Sequence, residues 1–114
     1  MLGVMDNLSL TALAREQLEL AQGSSSGRSA RTVHGGREHR LRQTVIALVA
    51  GRQLDEHESP EEATVHVLHG RVRLVAGDAS WSGAAGHLIE VPKTRHVLAA
   101  DEDSVVLLTT LVGS

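Results

Sequence analysis

A chain of 114 residues is sized for one domain, able to bury roughly two thirds of the surface that its unfolded form exposes. Hydrophobic residues make up 41%, yet with one Trp and no Phe or Tyr the core must be built from Val, Leu, Ile and Ala, which leaves little flat surface for stacking bases or sugars. The absence of Cys excludes disulfides, thiolate metal sites and thiol nucleophiles, and a formal net charge of -3 gives no overall electrostatic reason to bind nucleic acid or anionic membrane. No apolar run approaches the length of a membrane span, and the start MLGVMDNLSL lacks a basic flank before an apolar stretch. A soluble, cytoplasmic protein with neither nucleic acid nor membrane as a partner is expected.

In chain order, residues 9–22 place Leu10, Leu13, Ala14, Leu18 and Ala21 at helical spacing, with Ser9 or Thr11 as N-cap and Gly23 as stop. So short a helix is marginal alone and is expected to dock on its own domain or on a second copy. GSSSGRS at 23–29 is a flexible linker by composition. Two parts result, a helix and linker over 1–29 and a β-domain over 30–114. Residues 30–34 and 41–49 predict strands joined across Gly35 and Gly36. Arg28, Arg31, Arg37, Arg40 and Arg42 gather here against Glu38, and without aromatics among them they predict a solvated face. The run Val45, Ile46, Leu48 and Val49 suits a strand buried on both sides. Residues 63–69 and 71–75 read as alternating strands pinned together by Gly70, with a tight turn at 76–78. Strands at 87–91, stopped by Pro92, at 96–99 and at 104–112 complete the set. Short strands with frequent turn signals predict an all-β sandwich or closed barrel.

Two paired spacings go further. Gly51 is followed after five residues by His57, then Glu58, Ser59 and Pro60, and the next strand closes in Val67, Leu68, His69 and Gly70. Gly86 is followed after five residues by Pro92, then His96. Together these resemble the two motifs of the cupins, over about residues 41–111. The resemblance implies a double-stranded β-helix, or jelly-roll barrel, commonly paired as a homodimer. It also implies a pocket facing His57 and His96, in which Ser59, Val65, Val67 and Trp81 would join them.

Cupin metal sites commonly use three His and one Glu. Here Ser59 replaces the second His of the first motif, Ala63 falls where the Glu is expected, and Glu62 lies one residue off. The metal set that the resemblance implies is therefore His57, His96 and Glu62, for one divalent ion (Zn, Fe, Mn or Ni). Alternation puts Ala63, Val65 and Val67 on one side of their strand and Glu62, Thr64, His66 and Leu68 on the other, so only a bulge after Pro60 would swing Glu62 or Glu61 inward. Nothing supports covalent catalysis, since no G-x-S-x-G pattern is present. Three functions follow: a barrel holding a small molecule in its pocket, a metal-dependent oxygenase or isomerase using His57 and His96, and a non-catalytic dimerisation module.

Overall fold

The computed structural model describes residues 7–57 and 62–111, with the backbone alone for 55–57. Among the described residues there are one helix, α1 (Leu10–Gln22), and nine strands: β1 (Arg28–His34), β2 (Leu41–Leu48), β3 (Gln53–His57), β4 (Glu62–His69), β5 (Arg71–Ala76), β6 (Ala79–Ala84), β7 (Leu88–Glu90), β8 (His96–Ala100) and β9 (Ser104–Leu111). A five-stranded sheet runs β1-β2-β9-β4-β7 and a four-stranded sheet runs β3-β8-β5-β6, with every pairing antiparallel. The all-β architecture expected from the sequence is present.

The two sheets face each other over an aliphatic core. Ile46, Leu48, Val65, Val67 and Val106 come from the larger sheet, and Val72, Leu74, Leu98 and Ala100 from the smaller. A second cluster lies on the outer face of the larger sheet, where Ala14 and Ala21 of α1 meet Val45, Ala47, Val105 and Leu107. The helix thus explains why residues 45–48 are apolar without alternation: one face looks into the barrel and the other is roofed by α1. Ser9 caps α1, its hydroxyl accepting from the Ala12 amide at 3.1 Å. The buried Gln17 ties the helix to β1, since Ser29 Oγ lies 2.7 Å from Gln17 Oε1 and 2.8 Å from its carbonyl oxygen.

Three expectations need correction. Of the segment 23–29, expected as a flexible linker, residues 23–27 form a hydrogen-bonded turn and 28–29 already belong to β1. Gly27 donates to the Ser24 carbonyl at 3.1 Å and its own carbonyl accepts from Val49 at 2.8 Å, while Ser24 and Ser26 bond locally through their hydroxyls. Gly70 does not join a hairpin: β4 and β5 lie in different sheets, and the chain crosses between them there. At φ +82 a Cβ on Gly70 would run into the Asp103 carbonyl and Ser104, so the crossing needs glycine for both conformation and space. The strands β3 and β6 were not expected, because QLDEH is mostly polar and ASWSGA lacks an alternating apolar set.

Candidate functional site

The inward faces of the described strands leave a cavity of about 90 Å³ between the sheets. Its floor and walls are aliphatic: Ile46, Val65 and Leu108 from the larger sheet, with Leu54, Leu74 and Leu98 from the smaller. Ala63, Thr110, Val91 and His96 complete the lining. The polar members fall at one end. In the larger sheet the inward positions form rows across β2, β9 and β4: Ile46, Val106 and Val67 deepest, then Thr44, Leu108 and Val65, then Arg42, Thr110 and Ala63. Polarity rises row by row toward the end where β2 and β4 begin and β9 finishes.

From the smaller sheet, β8 begins at this same end with the half-buried His96. Its Nδ1 lies 2.9 Å from the Thr94 carbonyl oxygen. A carbonyl has no proton to give, so Nδ1 carries the hydrogen, and in the neutral ring the lone pair belongs to Nε2. The backbone of His57 is the Cα partner of His96. Leu54 pairs with Leu98, so β3 spends three residues where β8 spends two, and this register shift sets His57 opposite His96.

The remaining sites expected from sequence are distributed as follows. Val65 lines the cavity, and Val67 lies one row deeper, fully buried in the core. Trp81 shares the inward face of Leu74 by register, but it stands on the edge strand β6, 44% exposed, beside a shallow groove with Leu88, Val91 and Pro92. It therefore flanks the open seam between β6 and β7 and does not line the cavity. Glu62 pairs with Leu111, next to the pairing of Ala63 with Thr110, and is exposed on the outer face. The shift that would turn it inward is absent from this end of β4, since its register is continuous from Glu62 to Val67. Ser59 lies outside the described residues, as do Glu58 and Glu61.

The other described histidines have different surroundings. His87 Nδ1 accepts from the Ala84 amide at 3.0 Å and closes a turn. The rings of His34 and His39 stand 4.7 Å apart in the β1–β2 loop, and His66 and His69 lie on β4 away from the cavity. Among the described residues, no three His, Asp or Glu side chains gather where they could hold a metal ion. At the cavity those residues offer one imidazole and one hydroxyl, short of the three protein ligands that a zinc-type site draws, so this donor set does not by itself fit a metal.

Thr110 is not singled out by any motif in the sequence, and Arg42 stands there only as one arginine of a solvated face. In SVVLLTTL the positions sharing a face with Val106 and Leu108 are Ser104 at one end and Thr110 at the other, so a hydroxyl closes each end of an apolar pair. Placing Thr110 at the cavity requires the register of β9 against β2 and β4.

No protein-family model matches the chain, and no curated protein matches its sequence. Solved structures do resemble it. A conserved protein of unknown function from Streptococcus pyogenes matches with a TM-score of 0.74 at 24% identity, over 99% of this chain and 92% of the other. A cupin 2 conserved barrel domain protein from Salinispora arenicola gives 0.67 at 20%, over 94% and 88%. An RmlC-like cupin protein from Desulfovibrio desulfuricans gives 0.62 at 28%, over 72% and 79%.

Proposed function

We propose that this chain, a small protein of cupin fold, binds a small aliphatic molecule between its sheets, with His96 and Thr110 meeting the polar end of the ligand. The supporting observation is the gradient of the lining, aliphatic in depth and polar only at one end, the usual composition of a site that fixes orientation with few groups. A cavity of about 90 Å³ takes a tail on the order of three or four heavy atoms, given that a water occupies about 30 Å³. Thermal unfolding in the presence of isobutanol tests the reading. A saturable rise in melting temperature is expected by linkage, and it should vanish in Ala63→Leu, whose side chain would fill the space. An absent rise, or an undiminished one in Ala63→Leu, would contradict the proposal.

A metal-dependent enzyme remains the second reading. Its support is the Nδ1 hydrogen bond of His96 to a carbonyl, the way metal-bound imidazoles are commonly oriented, together with the backbone register of His57. It needs ligands beyond the described side chains, and Glu62 on the outer face is not one that the barrel brings to His96. Metal analysis of untagged protein decides it: near one ion per chain, lost in His96→Ala, would favour the enzyme.

A further inference from the structure

We infer that the ligand of the cavity is a short aliphatic carboxylate, recognised at the rim by Arg42 acting with Thr110; this rests on the reading of the cavity given above. The observation is the outermost inward row of the larger sheet. Arg42 pairs with Thr110, and Thr110 pairs with Ala63, so the three stand side by side across β2, β9 and β4. Neighbouring strands are about 4.8 Å apart, which places the Arg42 backbone one strand from a cavity-lining hydroxyl and about two strands from the cavity-lining Ala63. A cross-strand neighbour on the same face is within reach of a long side chain.

Arg42 is exposed at the rim and stands beside the cavity wall rather than in it. A Cβ built on Gly35 would lie 3.2 Å from Arg42 Cγ and 3.6 Å from Thr32 Cγ2, so the stem packs against the start of the β1–β2 loop, on the β1 side of β2. Among the described residues no carboxylate pairs with Arg42, whereas Arg31, Arg71 and Arg73 each have one, in Glu16, Glu102 and Asp101. Arg31 and Arg42 belong to the same hairpin but face opposite sides of it: Arg31 pairs with Val45 under the helix, and Arg42 pairs with Thr110. The cluster of arginines read from the sequence as one solvated face is therefore divided between the two faces of the sheet, and the register places Arg42 at the end of the barrel where the cavity becomes polar.

The chemistry follows from these groups. A guanidinium presents parallel N–H donors that match a carboxylate in two-point geometry. The Thr110 hydroxyl can donate to the same oxygens, while the aliphatic lining takes a tail of a few carbons. A neutral ligand of equal shape fills the cavity but leaves the guanidinium without a partner. Charge recognition and tail burial are thus assigned to different residues and can be tested separately.

The test is a titration of the full chain with isobutyrate, isobutyramide and isobutanol, read by shifts of the Leu and Val methyl signals in NMR spectra. Isobutyrate should bind about tenfold more tightly than isobutyramide, as expected for a hydrogen bond to a charged group. Arg42→Gln should abolish that preference without changing isobutanol binding, and Arg42→Lys should restore part of it. Raising the salt should weaken isobutyrate alone. Equal affinities for isobutyrate and isobutyramide, or a preference that survives Arg42→Gln, overturn the role of Arg42 and leave the cavity reading standing. Binding of none of the three overturns both.

Discussion

Three residues at the far end of the barrel from the cavity carry much of the crossing between sheets. Ser104 is 1% exposed, its hydroxyl accepting from the Arg71 amide at 3.0 Å and donating to the Glu102 carbonyl at 2.6 Å. Ser104→Ala leaves these backbone groups unpaired, and chemical denaturation should show a loss of about 1–3 kcal/mol. Gly70→Ala should cost more, about 3 kcal/mol or above, because strain and overlap add. Asp103 accepts from the Ala50 amide and from Gln22 Nε2. The Ala50 bond first, then Gln22, with a smaller pull from His69, holds its carboxyl below the ordinary aspartate range despite slight desolvation. A carboxyl lowered on folding contributes stability above its unfolded pKa, near 4, and loses that contribution as pH falls through its folded value. The melting temperature of Asp103→Asn should therefore fall less than that of the parent chain between about pH 5 and pH 3. Parallel acid curves for the two would remove Asp103 from this role.

The helix and the strands were legible to different degrees, and the reasons are local. Ser9, the apolar spacing and Gly23 were sufficient to define α1, because capping and periodicity act within the segment itself. The apolar run in β2 announced burial on both faces, but it could not say that α1 covered one of them. Gly70 misled because a positive-φ glycine between two alternating runs reads alike whether the second strand pairs with the first or crosses to another sheet. The dependence of α1 on its dock is testable. Ala21 is fully buried against the outer face of the larger sheet. Ala21→Asp would bury an unpaired carboxylate, at a cost of about 3 kcal/mol or more. The expected result is loss of the helical circular dichroism signal with the strand signal retained. An unchanged helical signal would mean that α1 does not depend on that contact.

At the scale of the molecule, the barrel itself was readable from the paired Gly, His and Pro spacings, whereas the full lining of the cavity was not. Its lining is assembled from seven strands or their ends, and facing depends on register, which no single strand states. That is why the pocket expected from the sequence and the cavity of the structure share His96 and Val65, while Thr110 joins the lining unannounced and Trp81 lies outside it on an edge strand. The homodimer remains a proposal, supported by the exposed Trp81 at 44% and Leu88 at 64% on the two strands of the open seam. Sedimentation of the double variant Trp81→Ser, Leu88→Ser should show a monomer where the parent chain sediments as a dimer, and a monomeric parent chain would end that proposal.

Occupation of the space between the sheets is the claim on which the functional account stands. Intermolecular nuclear Overhauser contacts measure it directly, with isobutyrate as the probe. Contacts from its methyl groups to the methyls of Val65, Leu98 and Leu108, all within the cavity wall, are the predicted result. Contacts confined to surface methyls such as Leu20 or Leu88, or none at all, would contradict it.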